Sequence, residues 1–251
     1  MCPVTVFEQD GFDLRVEWGL DGVRALGPHC AVLVVVDVLV FTTTVDVALG
    51  RGARVLPLPW HDERAAAAAE AAGAVLTPSG LDESIGHSGW SLRPSSLTEL
   101  PPDTLLGIAS PNGATLCAAA AETGATVLAG CLRNASAVGA AAAGIAGDRP
   151  VGVIAGGERW RPRQTLRPSL EDYLGAGAIA AAVTGRSAPS SEAALAALSF
   201  RAVADRIPAV LADSISGREL VEAGVSDDVK LAGDVDVSSL VPVLENGVFS
   251  A

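Results

Sequence analysis

Asp37 has the strongest claim to chemistry in this chain, because it stands inside VVVDVLVFTTTVDVAL (residues 34 to 49), an otherwise apolar run interrupted by three threonines. A buried, ionised carboxylate is costly unless it is paired, hydrogen-bonded or bound to metal. A helix beginning near Thr42 starts too far along for Asp37 to cap it. A hard cation such as Mg²⁺, held by carboxylates together with water and a phosphate, would compensate the charge.

Other polar residues follow other apolar runs. Thr42, Thr43 and Thr44 come just after Asp37; Ser110, Asn112, Gly113 and Thr115 lie in SPNGAT; Arg133 and Asn134 lie in CLRNAS. The segment GERWRPRQTLRPSLED carries Glu158, four arginines (Arg159, Arg161, Arg163, Arg167), Glu171 and Asp172. Threonine and asparagine ahead of alanine-rich helices suit N-caps as well as anion binding. Ser169-Leu-Glu-Asp172 fits an S-x-x-[DE] capping box, and its acids suit the positive end of a helix. The arginine forks suit a phosphate, sulfonate or carboxylate, while Trp160 and Pro162 equally suit a packed surface loop. Gly113 belongs where backbone approaches a ligand closely. The combination points to a metal-assisted site for a small, multiply anionic substrate. Histidines 29, 61 and 87 are scattered and receive no role, and neither a P-loop nor a G-x-G-x-x-G, G-x-S-x-G or H-E-x-x-H motif is present.

The elements that must position these residues are legible as apolar runs at 31–36, 53–58, 73–78, 104–110, 125–130 and 150–156, separated by alanine-rich helical stretches. Short, doubly apolar strands alternating with helices predict parallel βαβ units. The fold class expected is α/β, three-layer α/β/α with a largely parallel sheet, in which ligands gather at the carboxyl ends of strands. Residues 185–192 read as a loop, the segments after it as helices, and VSSLVPVLENGVF as a strand closed by an Asn-Gly turn. One domain over residues 1–251 is expected, with any division into two lobes near 185–192.

Bulk composition narrows the function classes. The formal net charge of −12 disfavours a phosphate backbone as partner, so nucleic acid is not expected. Although 49% of residues are hydrophobic, no apolar run is long enough for a membrane span, and a soluble, cytoplasmic protein is expected. The four cysteines, Cys2, Cys30, Cys117 and Cys131, lack metal-ligand or disulfide-framework spacing and read as reduced, mostly buried thiols.

The motifs together resemble the 2-phosphosulfolactate phosphatases of the ComB type. DVLVFTTT is similar to the family's D-V-L-R-A-T-x-T, SPNGAT to its S-x-N-G-T, and SLEDYLGAGAI to its S-L-E-D-x-x-x-A-G; NASAV, SGREL, DDV and VPVL continue the series from about residue 30 onward. The resemblance implies a Mg²⁺-dependent phosphoric monoester hydrolase that converts 2-phosphosulfolactate to 3-sulfolactate and phosphate, in a route toward coenzyme M. It implies catalytic and metal-binding roles for Asp37, Glu171 and Asp172. It implies substrate binding by Thr42, Thr44, Ser110, Asn112, Gly113 and Asn134, to which Arg159 of the arginine loop is added. The expected partner is a small anionic phosphorylated substrate, and a homo-oligomer is compatible with it. Two positions depart from the pattern: the family's arginine is Val40 here, and an aspartate is Ser91, with Arg93 or the 159–167 loop left to supply the cation. A catalytically silent anion-binding homologue is the alternative.

Overall fold

The computed structural model describes all residues except 1–5, 79–80, 86, 88 and 187, so Cys2 lies outside the described residues. In chain order the elements begin β1 (Leu14–Trp18), α1 (Gly19–Leu26), β2 (Val32–Val36), α2 (Phe41–Gly50), β3 (Arg54–Leu58), α3 (Glu63–Ala72), β4 (Val75–Leu76) and α4 (Leu81–Ser84). They continue with β5 (Leu105–Ala109), α5 (Gly113–Ala121), β6 (Thr126–Gly130), α6 (Ala135–Ala146), β7 (Val151–Ala155), β8 (Glu158–Trp160), β9 (Thr165–Arg167) and α7 (Leu170–Ala182). The last third holds α8 (Ser191–Val203), α9 (Ile207–Asp213), α10 (Ile215–Glu222), α11 (Ser226–Ala232), β10 (Val243–Glu245) and β11 (Val248–Ser250).

All six apolar runs are strands, β2 to β7. They join β1, an edge strand whose LRVEW sequence is too mixed to stand out, in a nine-stranded sheet of order β1-β7-β2-β6-β10-β11-β3-β5-β4. Every residue of β2 is buried, as expected of a strand covered on both faces. A Cβ added at Gly152 would point at Leu33 and Leu26 of α1, whereas one added at Gly130 would meet Val34 and Ile179 of α7. Leu33 and Val34 are neighbours on a pleated strand, so α1 and α7 cover opposite faces and the architecture is α/β/α.

The sheet is mixed. Asn246 and Gly247, both at positive φ, make the turn of a β10–β11 hairpin. That hairpin pairs antiparallel with β6 on one side and β3 on the other. It divides the sheet into two parallel groups, β1-β7-β2-β6 and β3-β5-β4, which run in opposite directions along the ladder. Strand twist of roughly 20–25° per neighbour accumulates across the sheet, and the loops that follow β2 and β5 meet at one place. The segment before α8 also joins the sheet region, where Ser190 donates its N–H to the Leu14 carbonyl at 2.8 Å. Pro208 divides the helical pattern at 199–214 into α8 and α9. No helix among the described residues is long and apolar enough to cross a membrane.

Candidate active site

Asp37 is the first residue after β2 and is 5% exposed. Its Oδ2 accepts the N–H of Gly113, the first residue of α5, at 2.7 Å. That approach needs glycine: a Cβ there would overlap the Phe41 ring and lie 2.8 Å from Asp37 Oδ2. Burial, the Glu158 charge and the Glu171 charge push the Asp37 carboxyl up to about 7, against the opposing bonds from the Gly113 and Phe41 amides.

The threonines that follow act on the turn itself. Thr42 donates its hydroxyl to the Asp37 carbonyl at 2.8 Å and accepts the Asp37 N–H at 3.1 Å. The hydroxyls of Thr43 and Thr44 donate to the carbonyls of Val38 and Val40 at 2.8 and 2.9 Å. None caps α2, whose N-cap position is Val40. All three side chains are fully buried, and their polar atoms hold the Asp37 turn in shape.

Asp172 is held just as firmly. Its Oδ1 accepts the Val38 N–H at 2.7 Å, and its Oδ2 accepts the Gly157 N–H at 2.7 Å and the Ser169 hydroxyl at 3.0 Å. This corrects the capping-box reading of SLED: Ser169 occupies the N-cap position but gives its hydroxyl to Asp172 and accepts no helix amide. Burial and the charges of Asp37 and Glu171 drive the Asp172 carboxyl well above the usual carboxylate range. Gly175 allows α7 to lie this close, since a Cβ there would come within 2.6 Å of Val38 Cγ2.

The arginine-rich segment is an antiparallel hairpin, β8–β9, instead of a loop. Its first residue, Glu158, accepts a bond from Asn112 Nδ2 at 3.2 Å, and burial followed by the Glu171 charge raises its carboxyl. Arg159 bridges to Asn112 Oδ1 at 3.3 Å and to the Pro111 carbonyl at 3.0 Å. Arg167 bonds Ser216 of α10 at 3.1 Å and lies over Trp160, 5.9 Å from the ring centroid. Trp160 therefore engages Arg167 while staying exposed.

Asp37, Ser110, Asn112 and Glu158 line a cavity of about 430 Å³. Arg161, His61 and Glu219 of α10 supply its remaining charged or titratable groups. A second cavity of about 240 Å³ lies on the other side of Asn112 and Glu158 and takes in Arg159. Of the residues singled out in the sequence, the structure thus brings Asp37, Ser110, Asn112, Gly113, Glu158 and Arg161 together. Asn134 lies elsewhere, fully buried, with its Oδ1 accepting the Cys131 N–H at 2.9 Å. Ser91 is also fully buried and bonds Ser96, while Arg93 is paired with Asp228 at 2.7 Å and does not line the cavity. Cys30, Cys117 and Cys131 are free and buried.

The carboxylates gathered here are hard oxygen donors, the type a divalent cation such as Mg²⁺ takes one or two at a time. Asp37, Glu158 and Glu171 are oxygen donors whose negative charges bear on one another. Glu171, 2% exposed, has no hydrogen-bond partner among the described residues. Among those residues no group of three or more His, Cys, Asp or Glu side chains is placed to hold a metal ion. An open site, completed by water and substrate oxygens, is the kind Mg²⁺ takes.

The sequence offered Glu158 and Arg161 among its strand-end residues without choosing them for the site, gave the scattered His61 no role, and showed Glu219 only within SGREL. Glu158 had a signal, since it follows β7 almost as directly as Asp37 follows β2. Glu219 had only its place in SGREL, with nothing local to direct it to the site: it reaches the cavity through the docking of α10, a tertiary event.

The family model described as 2-phosphosulpholactate phosphatase matches residues 24–247. The chain belongs to this family of phosphoric monoester hydrolases.

Proposed function

We propose that this family member hydrolyses the phosphate ester of 2-phosphosulfolactate, or of a similar small phospho-hydroxy acid, to the hydroxy acid and phosphate with Mg²⁺ as cofactor. One observation carries the reading: Asp37 is delivered to a 430 Å³ cavity beside Glu158, with its carboxyl pushed up to about 7 and no cation among the described residues paired to it. Asp37 and Glu171 are the oxygens that would hold the ion. When bound, Mg²⁺ would neutralise phosphate oxygens and sharpen a bound water as nucleophile.

The chain's own groups position the reactants and move the proton. Arg161 faces the cavity and suits an anionic oxygen pair of the substrate. Ser110 and Asn112, together with the turn before α5, border the same space. Asp172 keeps the β2 and β7 ends and the start of α7 in register, as a positioning residue. Water oxygen bonds to phosphorus as the bond from phosphorus to the substrate oxygen breaks. Glu158, whose carboxyl is raised by burial and the Glu171 charge, accepts the water proton and returns one to the departing oxygen.

The test is phosphate release from racemic 2-phosphosulfolactate and phospholactate with Mg²⁺; purified, folded protein that releases none from either would sink the reading. The silent anion-binding alternative is favoured by Val40, which presents an apolar side chain to the cavity. Metal-independent binding without turnover would establish it. The acidic chain, a cytoplasmic setting, and a small-molecule partner without nucleic acid or membrane belong to the same proposal. So does compatibility with a homo-oligomer.

A further inference from the structure

The cavity that takes in Asp37 is lined by two unlike sets of side chains. Asp37, Glu158 and Glu219 give it three carboxylates, and its only fixed cation among the described residues is Arg161. The rest of the lining is largely apolar and includes Leu39, Val40, Ile85, Leu92, Leu220 and the exposed Ala223. Such an apolar wall has no hydrogen bond to offer a charged group, and desolvating a sulfonate against it is unfavourable. The nearby carboxylates add repulsion to a second strong anion. Three nearby arginines do not line it: Arg93 is bonded to Asp228, Arg159 to Asn112 and Pro111, and Arg167 to Ser216, its charge acting on Glu158.

We infer that this chain selects a phospho-hydroxy acid whose side group is apolar, with that group against the Val40–Leu220 wall, over one carrying a sulfonate there. The inference rests on the phosphatase reading of the same site and names its substrate class. Arg161 takes an anionic group of the substrate, and the wall takes the hydrocarbon.

Two esters test it: 2-phosphosulfolactate, and the phosphate ester of 2-hydroxy-4-methylpentanoate, in which isobutyl replaces the sulfomethyl group. Expected is a kcat/KM at least about tenfold higher for the isobutyl ester, the low end of what a methylene or two contributes in an apolar pocket. Calorimetric titration of the two free hydroxy acids should give the same order. The variant Ala223→Arg, an exposed position that leaves the fold intact by thermal melting, should narrow the preference by placing a cation on the wall. Equal rates, a preference for the sulfonate, or no binding of the isobutyl acid would overturn the inference. If neither ester is cleaved while the isobutyl acid still binds more tightly, the phosphatase reading fails and the selectivity stands.

Discussion

Asp172, in the first turn of α7, accepts the backbone N–H of Val38 at 2.7 Å across 134 positions of chain. With its second oxygen on Gly157 N–H, it fastens the segments that follow β2 and β7 to the start of α7. Asp172→Asn keeps one acceptor but turns an NH₂ toward a backbone N–H. The expected cost is about 1–3 kcal/mol in urea unfolding, with a fall in kcat. Loss of activity at unchanged stability would mean that Asp172 acts on substrate or metal directly.

The pH dependence of stability follows from Asp37. Its carboxyl titrates near 4 in an unfolded chain and at about 7 in the folded one. Between those values the folded state holds a proton that the unfolded state lacks, so stability is greatest at the acid end of this window and declines as pH rises through 7. Urea midpoints in metal-free buffer from pH 5 to 8 should show this decline. Asp37→Asn should flatten it and be more stable than the parent at pH 8.

Added Mg²⁺ should act in the opposite sense. A cation between carboxylates that repel one another stabilises the folded state, by an amount that grows with free ion over Kd. The melting temperature at pH 8 should rise with millimolar Mg²⁺ and not in Asp37→Asn or Glu171→Gln. A rise of the same size in both variants would place the ion elsewhere.

Arg161 and Arg93 should part company. Arg161→Ala removes an exposed side chain from the cavity and should raise KM several-fold with the melting temperature unchanged. Arg93→Ala strands the fully buried Asp228 carboxylate, and should cost about 3–5 kcal/mol in unfolding free energy.

Gly113→Ala forces a methyl group against Phe41 and Asp37 Oδ2. Displacing either should destabilise the protein by about 1–3 kcal/mol and shift the acid limb of the rate profile. An active variant with parental stability would show that the α5 start has room to retreat.

The strands and their carboxyl-end loops were legible because apolar runs such as 31–36 and 150–156 must be covered on both faces, whatever the details of the fold. Asp37 was legible for the same reason, as an acid no apolar strand tolerates idly. Thr42, Thr44 and Asn134 were not, because a hydroxyl or amide near a helix start looks the same whether it faces a ligand or a carbonyl. The mixed character of the sheet was hidden too. The Asn246–Gly247 turn announced a hairpin, but nothing local said it would enter between β6 and β3.

That hairpin sets an order of assembly. Asp37 extends from β2 in one parallel group and Gly113 follows β5 in the other, and the strands linking the groups come after all the others in the chain. On the ribosome, both groups emerge and can collapse while the sheet still lacks its middle, leaving the facing edges of β3 and β6 open to other chains. Catalytic competence is then a late event of biosynthesis, gated by the arrival of Val243–Ser250.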